Sequence, residues 1–401
     1  MNSRFQGPIT RRLRPALLWI LAASLWLLFP GCATFRRPPR KTSLESARTV
    51  LPASFVSNFL VIETAGDKHG PYHFIIDTGS SVTLLTPDLA KRFGGSVPAN
   101  QSPLRVLGAN GQVKLLNPVN LKRLQLGSAR FEGVRVLTHD LADLSNHLGV
   151  HIDGVLGFPL FRETLLTLDY LQSQIIISPH GVPMALPGVT IPFNNEQNTP
   201  LIPIQLGTES FIALVDSGSD AALSLNTVGL HPSFQFGPIS GVLMATLAGD
   251  RLGMTGRLAQ SLTVGAYVIE HPIIDLTDEL SSIGGGLLRN FSVTFDQKRN
   301  QVTLFRPTYD PIQVAPVRST GLSFTKTTAY WRVAAVVDGS PAEQLGVSAG
   351  DLCTRINDEP VSAWPFQRYA ELIRTGQRIT YTFINGNEEQ QVTLPVFELV
   401  P

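Results

Sequence analysis

Short apolar runs rich in β-branched residues, broken by Gly, Asn and Pro, recur through most of this chain and predict strands, so the fold class is all-β. Two of these runs, Phe74-Ile75-Ile76 and Ala213-Leu214-Val215, each end in an aspartate followed by a hydroxyl residue and a glycine. A buried strand closing in a tight turn is expected at both. One stretch reads as a helix, Pro87 to Phe93, with Thr86 placed to cap it and Gly94 to stop it. Asn110-Gly111, set between Val106-Leu107 and Val113 to Leu116, is a two-residue hairpin signal and predicts a β-arm about 30 residues after Asp77. Near the start the pattern changes: Pro15 to Phe29 is an apolar run broken only by Ser24, about 15 residues where a membrane span needs about 20.

The strand pattern is written twice. Phe74 to Ser80 aligns with Ala213 to Ser219 at an offset of 139, and Val106 to Gly111 with Met244 to Gly249 at 138. Leu124 to Gly127 aligns with Leu262 to Gly265 at the same 138. A third block runs at 127 and matches Leu156-Gly157 with Ile283-Gly284, Leu160-Phe161-Arg162 with Leu287-Leu288-Arg289, Thr167-Leu168-Asp169 with Thr294-Phe295-Asp296, and Gln174-Ile175 with Gln301-Val302. The second copy is shorter, because Leu141 to Gly154 has no full counterpart in it. Duplication places two Asp-x-Gly loops in one molecule, where each alone would be an ordinary turn.

Composition narrows what such a chain does. With 401 residues, 43% hydrophobic and 16% charged, it is a folded protein of two or three domains. Thirty-two basic against 31 acidic residues leaves +1, but residues 1–31 hold Arg4, Arg11, Arg12 and Arg14 and no acid, so without them the balance is 28 − 31 = −3. Such a body does not seek phosphate backbones, and no nucleic-acid partner is expected. Four arginines before a short apolar run read as a secretory signal over 1–31. The run stops at Leu28-Phe29-Pro30-Gly31-Cys32, which resembles a bacterial lipobox. Lipidation of Cys32 is then expected, with cleavage without lipid as the alternative. Residues 32–49 read as a tether that holds the body off a membrane, in the cell envelope and facing either the periplasm or the surface. Cys353 is the one other cysteine and alternates into a strand, so it reads as core.

Two strand-ending aspartates that meet across a pseudo-twofold axis cannot both ionise and come to share a proton. The charged member can take a proton from water while the protonated member polarises a carbonyl, chemistry suited to amide hydrolysis without cofactor or metal. On Asp77-Thr78-Gly79-Ser80, Asp216-Ser217-Gly218-Ser219, Val155-Leu156-Gly157 and Ser282-Ile283-Gly284, the chain resembles the aspartic proteases, more closely the bacterial retropepsin-like branch than pepsin. The resemblance implies two β lobes, over 50–185 and 186–307, with Asp77 and Asp216 as the catalytic dyad. It also implies that Thr78 and Ser217 brace the loops by crossing hydrogen bonds, with Gly79, Ser80, Gly218 and Ser219 completing them, and that Gly108, Ala109, Asn110 and Gly111 form a flap. Ser282 departs from the apolar pattern, and the second arm, Ala245 to Asp250, is less turn-like. The hydroxyls of Ser80 and Ser219 are placed to donate to the ionised aspartates, and an activity optimum on the acidic side of neutral is expected.

After a connector over 308–317, residues 318–401 resemble a PDZ domain, a small β-barrel with two helices. The resemblance rests on Gly321-Leu322-Ser323-Phe324, Gly339-Ser340-Pro341-Ala342-Glu343, Gly350-Asp351-Leu352 and Ile356-Asn357-Asp358. Ser340, Pro341, Glu343 and Gly346 spell a capped short helix. A PDZ groove takes peptide C-termini by strand addition, with the carboxylate held near Gly321; a closed groove in a domain that only packs on the protease is the alternative.

Other signals carry less. Asp216-Ser217-Gly218 lacks the preceding glycine of trypsin-like serine enzymes, since Val215 stands there. His147 and His151 lack an HExxH context and read as surface-loop residues; no metal site is expected. Gly284-Gly285-Gly286 is followed by no Lys-Ser/Thr and implies no nucleotide. The expectation is a monomeric, exported, lipid-anchored aspartic endopeptidase of polypeptides. A catalytically inactive peptide-binding envelope protein is the contrasting reading, and a form that needs a partner chain is disfavoured because both halves are present.

Overall fold

Strands buried on both faces read as unbroken apolar runs, and those runs lie at the centre of each lobe. In the computed structural model, which describes residues 38–64, 70–98, 102–107, 113–181, 188–244, 251–327, 329–385 and 388–401, the chain is all-β. Strand Tyr72–Asp77 lies parallel to Gly154–Gly157, with Asp77 opposite Gly157. In the second lobe Glu209–Asp216 lies parallel to Ser282–Gly284, with Asp216 opposite Gly284. Pro87–Arg92 is helical, and the Thr86 hydroxyl accepts from the Leu89 amide.

The lobes share one layer of sheet. Leu165–Asp169 runs antiparallel to Ser292–Asp296, centred on Thr167 opposite Thr294, whose hydroxyls lie 2.8 Å apart. Gln174–Ser178 and Thr49–Val56 extend the layer on one side, Gln301–Phe305 and Val189–Pro192 on the other. Because residues 127 apart face each other at the centre, a pseudo-twofold axis passes between the two threonines. One continuous apolar cluster, including Ile76, Leu156, Phe158, Val215, Ile283 and Phe295, spans both copies. Two arginines strap the lobes together in the same symmetry: Arg162 donates to Asn198 Oδ1 at 2.6 Å and Arg289 to Asn58 Oδ1 at 3.2 Å.

Two segments expected to be loose are docked. Within the tether read over 32–49, Lys41–Leu44 pairs with the strand Ala129–Thr138 and Pro39 is buried, so the part next to the lobe belongs to its sheet. Within the 308–317 connector, Ile312–Gln313 pairs with Ile269–Glu270, and Tyr309 stacks on Tyr267 at 5.2 Å. Backbone pairing needs no apolar periodicity, which is why Arg- and Pro-containing sequence concealed it.

The C-terminal domain is fixed to the rest. Its closing strand Phe397–Val400 pairs with Val317–Ser319, and Val337, Leu399 and Val400 share a buried cluster with Ile273 of the second lobe. Arg257 of that lobe donates to the carbonyls of His271 and Val314 and to a main-chain oxygen of Pro401. The helix Ala142–Leu148 of the first lobe approaches the domain's helix Phe366–Thr375. The short helix Pro341–Gln344 has Ser340 Oγ accepting from the Glu343 amide, while the Glu343 carboxylate reaches the Gly339 amide, one residue before the position a capping box uses.

Candidate active site

Asp77 and Asp216 end their strands and meet on the axis, each carboxyl set against the glycine of the other loop. The loops interlock to bring them there. A Cβ on Gly79 would sit inside the Asp216 carboxyl, and one on Gly218 inside that of Asp77, so only glycine lets either loop reach its twin. Beneath the dyad the loops exchange bonds in mirror fashion. The Thr78 amide donates to Ser217 Oγ and the Ser217 amide to Thr78 Oγ1, both at 3.0 Å. The Thr78 hydroxyl then donates to the Val215 carbonyl at 2.6 Å and the Ser217 hydroxyl to that of Ile76 at 2.7 Å. Both hydroxyl residues are buried, so the exchanged bonds are shielded from water.

Burial raises both carboxyls above the usual carboxylate range, Asp77 well above it, with the charge of Asp216 and the hydrogen bond to it adding to Asp77. Backbone amides oppose the rise: Ser80 donates to Asp77 Oδ1 and Gly218 to Asp216 Oδ1, each at 2.9 Å. The serine hydroxyls do not take the expected part. The Ser80 hydroxyl donates to the Val82 carbonyl at 2.8 Å, and Ser219 meets Asp216 through its backbone amide and the Asp216 carbonyl. The turn itself aims amides at the carboxylate, which leaves the hydroxyl to tie the turn to the next strand.

Gly108, Ala109, Asn110 and Gly111 lie outside the described residues, as does Cys32; strands Leu104–Leu107 and Val113–Leu126 flank that tip, with Leu107 opposite Val113. The second copy builds an arm of the same kind from Phe234–Met244 and Arg251–Leu258. His147 does not lie in a loop: it sits in helix Ala142–Leu148, with Nε2 3.9 Å from the Asp220 carboxylate of the other lobe. Sequence reasoning missed Asn58, whose side chain donates to the Asp220 carbonyl at 2.7 Å, four residues past Asp216. Its twin Asn198, 140 residues on, has the same left-handed backbone, so the repeat alignment held the signal. Tyr170, buried beside the site, was missed as well.

The family model described as aspartyl protease matches residues 62–160, and the one described as PDZ domain matches 332–384. The chain carries an aspartyl protease domain and a PDZ domain. The first match covers Asp77 and its loop. Among solved structures, a retropepsin-like aspartic protease from Rickettsia conorii is similar at 21% identity, over 34% of this chain and 94% of that one, with a TM-score of 0.25. No curated protein matches.

In the PDZ domain, strand Leu322–Lys326 lies at a sheet edge, and its Phe324 meets Tyr369 of helix Phe366–Thr375. In the loop expected to hold a carboxylate through amides near Gly321, the Gly321 amide itself donates to Ser319 Oγ at 2.9 Å. Leu322 and Phe324 are buried and Ser323 half-buried; the Phe324 ring contacts Trp331, Tyr369 and Tyr381 at 5.6, 6.0 and 5.6 Å. Cys353 is fully buried, and burial pushes its thiol up to about 12.

Proposed function

We propose that this chain is an exported aspartic endopeptidase that hydrolyses polypeptides with water activated between Asp77 and Asp216. The observation that supports it most is the meeting of two carboxyls, Asp77 buried and Asp216 half-buried, each against the other loop's glycine on the axis that relates the copies. A pair that holds one proton contains a base and an acid at once. The ionised carboxyl takes a proton from water as its oxygen attacks the peptide carbonyl, and the protonated one donates to the carbonyl oxygen. Collapse of the tetrahedral adduct with proton transfer to the amide nitrogen releases the amine and returns the dyad to its one-proton state. Acid and base being carboxyls, the reaction calls for neither metal nor cofactor.

Around this centre the braced loops hold the carboxyls in place, the Gly108–Gly111 hairpin covers the substrate, and the PDZ domain recruits or regulates through peptide ends. The N-terminal segment exports the chain, and lipid on Cys32 anchors it to a membrane of the envelope. The working form is a monomer. Raised carboxyl titration keeps the one-proton state populated above the ordinary carboxylate range, so the rate peaks on the acidic side of neutral; a profile flat or rising to about pH 9 contradicts this.

The test compares wild type with Asp77→Asn and Asp216→Asn on an unfolded protein substrate, with and without a pepstatin-type inhibitor. Loss of cleavage in both variants supports the reading. Equal behaviour of all three proteins, indifferent to the inhibitor, replaces it with the non-catalytic peptide-binding reading.

A further inference from the structure

A cavity of about 590 Å³ opens beside the shared sheet; Arg162, Glu163, Asn195, Glu196, Gln297 and Lys298 are among the residues that line it. The pseudo-twofold axis supplies its counterpart. The Ala53 amide donates to the Ser173 carbonyl and the Phe193 amide to that of Asn300, both at 2.9 Å, and Pro52 pairs with Gln174 as Pro192 does with Gln301. This register makes Asn195 the twin of Phe55, and Gln297 the twin of Tyr170.

In the first half that place is filled. The rings of Phe55 and Tyr170 meet edge-on at 6.2 Å, and the Arg289 guanidinium lies 4.9 Å over Phe55. In the second half two amides replace the two rings. Gln297, only 4% exposed, is fixed by its Nε2 donating to the Phe158 carbonyl at 2.6 Å. Its Oε1 and the Asn195 Oδ1 are both buried, with no hydrogen-bond partner among the described residues. Buried acceptors left without donors cost free energy, and two in one cavity mark a site that wants donors brought to it.

The charges at this site cancel. Arg162 and Lys298 stand against Glu163 and Glu196, with Lys298 Nζ 2.8 Å from Glu163 Oε2, so neither a cation nor an anion meets a net field. The volume lies within the ~300–1,000 Å³ of small-molecule sites. The amide oxygens accept while the guanidinium and ammonium donate, and a hydroxyl meets either need at one freely turning atom. We propose that this cavity binds an uncharged polyhydroxylated ligand, a saccharide, whose hydroxyls donate to Gln297 Oε1 and Asn195 Oδ1 and accept from Arg162 and Lys298.

The test is calorimetric titration of the full chain with maltose, chitobiose and chitotetraose, beside an uncharged capped dipeptide. Binding of a disaccharide assigns a free sugar, and binding of chitotetraose alone a longer glycan; both support the site. Asn195→Phe, which rebuilds the filler found in the other half, then weakens binding at least about tenfold while peptide hydrolysis and the melting temperature hold. Should that variant fail to fold, Asn195→Ala carries the comparison. No binding by any of the three sugars, binding unchanged in the variant, or binding of the dipeptide in their place overturns the proposal.

Discussion

The two lobes agree where their loops meet on the pseudo-twofold axis and differ farther from it. At the axis Thr78 and Ser217 exchange the same bonds in both directions, and Gly79 and Gly218 make room for each other's carboxylate. Farther out, Phe55 and Tyr170 on one side become Asn195 and Gln297 on the other, and helix Ala142–Leu148 stands in the first copy without a full second. The physical reason is reciprocity. A residue on the axis packs against its own image, so a change on one side leaves an unmatched group on the other, whereas a residue off the axis meets a partner other than its twin and can change without it.

That contrast can be broken at four strengths. The largest effect belongs to the carboxyls: Asp77→Asn and Asp216→Asn each lower peptide hydrolysis by about 10²–10⁴-fold, the range of a lost general acid or base. Retained activity in one of them would show that the halves are not equal partners. Next, Gly79→Ala and Gly218→Ala drive a methyl into the opposite carboxyl, where overpacking costs ~1–3 kcal/mol; each should lower both the melting temperature and the rate. A variant with wild-type rate would mean the loops can separate without loss.

Smaller are Thr78→Val and Ser217→Ala, each of which strands a buried amide of the other loop at a cost of ~1–3 kcal/mol in denaturant unfolding. The double variant should cost less than the two singles added, because the bonds belong to one network. Simple additivity would separate the loops energetically. The gentlest probe is pH. Folded carboxyls that titrate above their unfolded values hold more protons than the unfolded chain, so this contribution to stability is present at low pH and is lost as pH rises through the raised range. The slope approaches ~1.4 kcal/mol per pH unit for one extra proton. Either Asp→Asn variant should flatten that slope in unfolding curves measured from acidic to neutral pH.

Much of this was legible in the sequence because duplication repeats local signals. Phe74 to Ser80 and Ala213 to Ser219 each carry strand, turn and chemistry within seven residues. What stayed hidden was long-range or depended on the backbone. Nothing near Thr167 or Thr294 announces that they face each other, and Lys41–Leu44 joins a sheet through main-chain pairing that its polar residues do not signal. The Ser80 hydroxyl looked like a partner for Asp77, but in the turn the amide reaches the carboxylate first. Asn58 and Asn198 could have been found by aligning the copies beyond the strand-and-turn blocks.

The layer built around Thr167 and Thr294 also fixes how the protein behaves when diluted. An enzyme assembled from two separate half-molecules falls apart at low concentration and loses its rate per molecule. Here the strands of the two halves join edge to edge in one sheet of a single covalent chain, so specific activity should stay constant as the sample is thinned to the limit of detection.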